Sequence, residues 1–119
     1  MLALTTPYKN RKHPGSFKTM TEVKAANRRI DHHWFDPDAM RFFDTRIETG
    51  VIKGKYFITS EQYHHFPCSG QGCFNPQGLC YPRRYTIRIA YADGSVDTIG
   101  DFQQFATKRE ARKTINRLP

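Results

Sequence analysis

The dipeptide Asp93-Gly94 lies between two alternating segments and constrains the fold of this chain more than any other feature. A two-residue hairpin loop needs positive φ angles, which glycine adopts without steric cost. In the segment 84–91 every second residue is Tyr or Ile, the period of a strand with one buried face. The sequence therefore predicts an antiparallel hairpin in which Tyr91 pairs with Val96 and both residues face the core.

Capping signals and a further alternating segment indicate the remaining elements. A strand is predicted over 55–62, before the hairpin. Helices are predicted to begin after Thr19 and Thr107, each of which is followed three residues later by Glu, and a short helix is predicted to begin at Asp36-Pro37. We therefore predict an α+β fold of α-β-β-β-α order, a three-stranded antiparallel sheet with the N- and C-terminal helices packed on one face.

The length of 119 residues is enough for one domain and leaves little for a second. Residues 1–18 contain scattered charges, prolines and no periodicity, which predicts a flexible basic arm. Residues 19–119 then form a single α+β domain, with a loop insertion at about 63–82 between the first and second strands. No apolar run approaches the length of a membrane span, about 18 residues, and no signal-peptide core is present. These absences predict a cytoplasmic protein that does not contact membranes.

The net charge of +8 is concentrated at the two ends of the chain. Residues 1–30 hold seven Lys/Arg against one Glu, and residues 105–119 hold five against one, whereas the middle is mildly acidic. Clustered cations gain affinity for polyanions by releasing counterions, so a basic binding surface is predicted, with solubility alone as the alternative. The residues assigned to this surface are Lys24, Arg28, Arg29, Arg88, Lys108, Arg109, Arg112, Lys113 and Arg117.

The predicted loop contains every cysteine of the protein and two of its five histidines. Three thiolates and one imidazole would make a closed zinc site, which is the only cofactor that the sequence suggests. The gaps of four and six residues between cysteines are wider than typical zinc knuckles, so an unligated loop with reduced thiols is the alternative. The candidate ligands are Cys68, Cys73 and Cys80 with His64 or His65.

A metal-dependent catalytic cluster is a further hypothesis, based on His32, His33, Asp36 and Asp38. Helix capping by Asp36 and a favourable position for Asp38 at a helix start explain both carboxylates without a metal. The sequence has no phosphate-binding glycine loop and no nucleophile motif. Binding is therefore the favoured function, and a small metal-dependent enzyme is the alternative.

The C-terminal segment Thr107-Lys108-Arg109-Glu110-Ala111-Arg112-Lys113, preceded by the predicted strands, resembles the last helix of double-stranded-RNA-binding domains. That resemblance implies that Lys108, Arg109, Arg112 and Lys113 contact phosphates by shape rather than by sequence. It covers about the last 40 residues, and the family has a short loop where this chain has its Cys/His insertion.

The chain also resembles a family of short uncharacterised proteins from tailed bacteriophages. The segments that carry this second resemblance are 34–43, 56–61, 84–88 and 102–107. It implies a viral protein in the cytoplasm of a host cell, where small phage proteins often inhibit host machinery. The leading hypothesis is an inhibitor of a host protein or ribonucleoprotein complex, specifically an anti-CRISPR protein against a defence effector. Direct nucleic-acid binding of the double-stranded-RNA-binding type is the alternative.

Overall fold

A computed structural model describes residues 13–62 and 81–119, and these ranges form one antiparallel sheet with helices on both of its faces. The strands follow the order β1-β2-β3-β4 and each pairs with its sequence neighbour. In chain order the elements are α1 (Met20–Arg29), α2 (Pro37–Arg41), β1 (Arg46–Ile47), β2 (Tyr56–Glu61), β3 (Arg84–Ala90), β4 (Val96–Ile99) and α3 (Lys108–Asn116).

The predicted three-stranded sheet is wrong, because the described residues form four strands. The additional strand is β1, whose Arg46 and Ile47 pair with Ser60 and Thr59 of β2. Two residues are too few to display a period of two, so this strand gives no sequence signal. The helix starts were predicted correctly: Thr19 and Thr107 each accept a hydrogen bond from the backbone N–H three residues later.

The prediction that both terminal helices pack on one face is also wrong. On one side of the sheet, the α3 face, Tyr56 and Ile58 pack with α3, whose Ala111 and Ile115 are fully buried. On the other side, the α1 face, Phe57 packs with Val23 of α1, Ala90 and Val96. Consecutive strand residues point to opposite faces, and all six residues of β2 are buried. Both faces of the sheet therefore need a covering layer, and the two helices supply one each.

The hairpin between β3 and β4 forms at the predicted position but with a different register. Tyr91 N–H donates to Ser95 O at 2.9 Å, and Gly94 N–H donates to Tyr91 O at 2.9 Å, so the loop has three residues. Val96 consequently pairs with Ala90 rather than with Tyr91. Because a shift of one residue reverses the faces of a strand, Val96 lies on the α1 face and not on the predicted side.

Residues 13–18 of the predicted flexible arm are joined to the folded domain. Gly15 N–H donates to Ala90 O at 2.9 Å, and Ala92 N–H donates to the carbonyl of His13 at 2.8 Å. Phe17 N–H donates to Gly54 O at 2.7 Å, and Phe17 packs beside the core of the α1 face. The domain therefore begins before residue 19, and residues 1–12 of the predicted arm lie outside the described residues.

Lys53 is predicted to stabilise the end of α3. Its Nζ donates to the carbonyls of Ile115, Asn116 and Leu118 at 3.0, 3.1 and 2.6 Å. These carbonyls belong to the last turn of the helix and to the residues beyond it, where a cation is favourable. We expect Lys53→Met to lower the free energy of unfolding by about 1–2 kcal/mol.

Urea unfolding monitored by circular dichroism measures this effect. Lys55→Met is the control, since the ammonium of Lys55 has no hydrogen bond to α3 and lies 5.3 Å from the centre of the Tyr56 ring. Equal stabilities of the two variants would contradict the assigned role of Lys53.

Candidate functional site

The exposed side of α3 carries most of the predicted C-terminal cations. Ala111 and Ile115 anchor the helix on the sheet, and the side chains on its opposite side face solvent. Lys108 is partly buried and lies 3.7 Å from a carboxylate oxygen of Glu48. The exposed cations on this helix and at its C-cap are Arg109, Arg112, Lys113 and Arg117.

The cations of α1 lie on the other side of the molecule. Lys24, Arg28 and Arg29 are exposed on a helix that covers the α1 face, so they point away from the exposed side of α3. The predicted set of cations therefore does not form one continuous surface. Among the described residues it divides into two smaller basic patches, separated by the thickness of the sheet.

Arg88 was predicted as a surface cation and is instead buried, with 8% of its surface exposed. Its Nη2 lies 2.9 Å from Oε2 of Glu61, a side chain with no exposed surface. The guanidinium also donates from Nε to Thr59 at 3.0 Å and from Nη1 to Thr98 at 2.5 Å. A buried ion pair requires such additional partners, because desolvation of both charges is costly.

Glu61 is held by hydroxyl groups from two strands. Its Oε2 accepts from Thr59 Oγ1 at 2.5 Å, and its Oε1 accepts from Thr86 Oγ1 at 2.7 Å. Gln103 joins the same network, because its backbone N–H donates to Thr86 Oγ1 and its side-chain amide donates to Glu61 O, both at 2.8 Å. The polar residues Thr59 and Glu61 on β2, and Thr86 and Arg88 on β3, alternate along their strands. That pattern was the available sequence signal for this network, and our sequence analysis missed it.

A cavity of about 340 Å³ lies beside this network on the α1 face of the sheet. Arg88 is the only charged residue among those that line it in the described part of the chain. The guanidinium carbon lies 5.1 Å from the centre of the Trp34 ring and 5.5 Å from that of Phe102, which are distances of cation–π contact. The lining residues are Trp34, Ala39, Met40, Phe43, Thr45, Arg88 and Phe102.

Three further arginines lie on β1 or at the start of β3, and local contacts hold them in place. Arg83 forms a close ion pair with Asp44, whose Oδ2 also lies 3.5 Å from the guanidinium of Arg46. Arg84 donates to the backbone carbonyls of Gln103 and Gln104 at 2.8 and 2.9 Å, next to Phe102. The strand register places Arg84 on the α1 face with the cavity and Arg46 on the opposite face of the sheet.

The side chains predicted to hold metal ions divide into two groups. The loop candidates Cys68, Cys73, Cys80, His64 and His65 lie outside the described residues, so zinc binding there stays a prediction. Within residues 13–62 and 81–119, no three His, Cys, Asp or Glu side chains are placed to hold a metal.

The second group consists of His32, His33, Asp36 and Asp38, and their local contacts explain why they do not surround a metal ion. His32 Nδ1 lies 2.9 Å from the side-chain amide of Asn27, and His33 Nδ1 lies 3.1 Å from Asp36 Oδ2. Asp38 forms an ion pair with Arg41 at 2.7 Å. Of His32, His33, Asp36 and Asp38, no three side chains are therefore placed to hold a metal ion in the described structure, and a metal-dependent activity stays an untested hypothesis.

Two tyrosines on the α3 face have shifted acidities. Burial raises the pKa of Tyr56. Burial, followed by the nearby charges of Asp97 and Asp93 and by Tyr56, raises the pKa of Tyr91. Both phenols therefore stay protonated at neutral pH, which suits a structural role in the core.

Comparison with known proteins gives one family match. The model of a family of unknown function, DUF7447, matches residues 19–67 and 77–116. The chain belongs to this family. The matched ranges include all the helices and strands described above, so the sheet with a helix on each face is the part that the family model covers. No curated protein and no solved structure matches the chain.

None of the helices in the described residues has the length and hydrophobicity of a membrane span.

Proposed function

We propose that this protein is a non-catalytic binding protein that docks the exposed side of α3 onto an anionic surface of a larger partner. The observation that carries the proposal is the asymmetry of α3. Ala111 and Ile115 are fully buried on one side of the helix, and the other side presents three exposed cations, with a fourth, Arg117, at its C-cap. Its single carboxylate, Glu110, takes part in the capping of the helix with Thr107.

The partner that we propose is a host protein or ribonucleoprotein complex. The resemblance to tailed-bacteriophage proteins supports an inhibitor of a host complex, and a CRISPR-type defence effector is the specific form to test. Such effectors carry RNA and present phosphates, to which a helix lined with Arg and Lys is complementary. The short length of α3 limits this contact to a few anionic groups.

Direct binding to double-stranded RNA is the second candidate, and the cations of α3 also favour it. Salt dependence separates the two candidates, because phosphate contacts release counterions. Four phosphate contacts predict a slope of about −3 to −4 in a plot of log affinity against log salt concentration. An interface with a largely apolar centre predicts a much smaller slope.

Charge reversal on α3 tests the proposal. We expect Arg109→Glu, Arg112→Glu and Lys113→Glu together to weaken partner binding by about 100-fold, since each surface charge contact contributes about 1 kcal/mol. The matched control reverses Lys24, Arg28 and Arg29 on α1, which changes the net charge by the same amount on the opposite face. We expect this control to bind within about threefold of the original protein.

Capture from a host lysate with and without nuclease identifies the partner, and titration of the purified partner measures the affinities. A partner lost by the α3 variant and kept by the α1 variant supports the proposal. Equal losses in both variants would show that net charge, and not the surface of α3, determines binding.

A further inference from the structure

The cavity on the α1 face combines an aromatic wall with a single buried guanidinium. Trp34, Phe43 and Phe102 line it together with Arg88, and the cavity volume is about 340 Å³. Ligand pockets in proteins span about 300–1,000 Å³, so this one is at the small end of the range. Flat aromatic walls favour a planar ligand, which can stack on them.

Arg88 has hydrogen-bonding capacity beyond the contacts that hold it in place. An arginine has five N–H groups, of which Nε carries one and each terminal nitrogen carries two. Nε donates to Thr59, Nη1 donates once to Thr98, and Nη2 donates once to Glu61. One N–H on each terminal nitrogen is therefore left without a partner among the described residues. The side chain is nine-tenths buried and lines the cavity, so a ligand there can accept from these two N–H groups.

The charge state of the Arg88–Glu61 pair determines which kind of ligand group can accept hydrogen bonds from these two N–H groups. Glu61, with no exposed surface, already neutralises the guanidinium at 2.9 Å. A second carboxylate or a phosphate buried at the same place would be an unpaired charge, and burying such a charge is costly. A neutral planar group with two adjacent acceptors avoids this cost. Among common ligands, the O6/N7 edge of guanine has this geometry and is the usual partner of a bidentate arginine.

We propose that the cavity binds a guanine base, with its O6/N7 edge on Arg88 and its ring between the aromatic walls. The source of the base is either a free guanine nucleotide or an unpaired guanosine in a strand, and both present the same chemistry. Arg84 fits this assignment, since it lies on the same face of the sheet as the cavity and next to Phe102, where it supplies positive charge for a phosphate that stays in solvent. The site lies on the opposite side of the sheet from α3 and is independent of the function proposed above.

In the first test, the full-length protein is titrated with GMP and, separately, with AMP. NMR or calorimetry measures binding in each titration. We expect GMP to bind at least about fivefold more tightly than AMP, because adenine presents a donor where guanine presents O6. The second arm uses the oligonucleotides U5-G-U5 and U5-A-U5. Binding of GMP indicates a free nucleotide as the source, and binding of the G-containing strand alone indicates an unpaired guanosine. If neither GMP nor the G-containing strand binds, or if G and A bind equally, the proposal is wrong.

Phe102→Ala tests the stacking wall and keeps both members of the buried ion pair, although it removes the ring that lies 5.5 Å from the Arg88 guanidinium carbon. Phe102 is partly exposed, so this change should leave the fold intact, as thermal unfolding verifies. We expect guanine binding to weaken by about 5- to 150-fold, the usual effect of removing one stacking ring. The matched control is Phe42→Ala, an exposed phenylalanine that contacts Phe43 but does not line the cavity. An equal loss in both variants would overturn the assignment, whereas the α3 charge reversal should leave guanine binding unchanged.

Discussion

Replacing Arg88 with Met should lower the free energy of unfolding by about 3–5 kcal/mol, the largest effect that we expect from a single change. The variant keeps most of the apolar stem of the side chain but removes the only cation that contacts Glu61 in the described structure. Glu61 has no exposed surface, so its carboxylate would be left buried with hydroxyl donors alone. Urea unfolding at pH 7 measures the loss.

A double variant separates the ion pair from the packing around it. Adding Glu61→Gln to Arg88→Met removes the uncompensated charge, and we expect it to recover more than half of the lost stability. Arg41→Met is the surface control, because its ion pair with Asp38 is exposed on both sides and should contribute less than about 1 kcal/mol. A cost below about 1 kcal/mol for Arg88→Met would contradict the role of Arg88 as the charge that compensates the buried carboxylate of Glu61.

Gly94→Ala should destabilise the protein by about 2–5 kcal/mol, through two separate effects. Gly94 has φ of +101°, a backbone conformation that costs an L-residue about 1–2 kcal/mol. A Cβ at this position would also lie 2.3 Å from the carbonyl oxygen of Ala26 in α1, and relieving such an overlap costs about 1–3 kcal/mol. The displacement would strain the hydrogen bond from Asn27 Nδ2 to Gly94 O, now 2.9 Å.

Gly50→Ala is the matched control for this second prediction. A Cβ at Gly50 would meet no atom within 4 Å, and its φ is not among the positive values. We expect Gly50→Ala to be neutral or to stabilise the protein by less than about 1 kcal/mol. Thermal unfolding of both variants provides the comparison, and equal melting temperatures would contradict the close contact between the turn and α1.

The separation of the two basic helices changes how the charge of this protein is interpreted. A surface that combined α1 and α3 would suit a long duplex, on which many phosphates are contacted at once. Two patches on opposite sides of a sheet suit smaller contacts, each with a few anionic groups. The proposal therefore assigns partner binding to α3 alone and uses α1 as its control.

Local signals in the sequence were sufficient to predict the elements that are stabilised by contacts between residues close together in the chain. The capping threonines Thr19 and Thr107 begin their helices as expected, since the interaction involves residues three apart. Alternation along 84–91 identified β3, and the apolar spacing of Ala111 and Ile115 identified the buried side of α3. The position of the β3–β4 hairpin was likewise predictable from Asp93-Gly94, although its three-residue loop was not.

Pairing between residues far apart in the sequence determined the remaining features of the fold. The two residues of β1 form a strand only because they pair with the edge of β2. The face of the sheet on which Val96 lies depends on a shift of one residue in the register of the hairpin. The partner of Arg88 also depends on long-range pairing, because only the pairing of β2 with β3 places Glu61 2.9 Å from it. The sequence by itself thus determined where the helices begin, where the chain turns and that both ends are basic. Only the tertiary structure decided which cations share a surface, because that depends on which face of the sheet each helix covers.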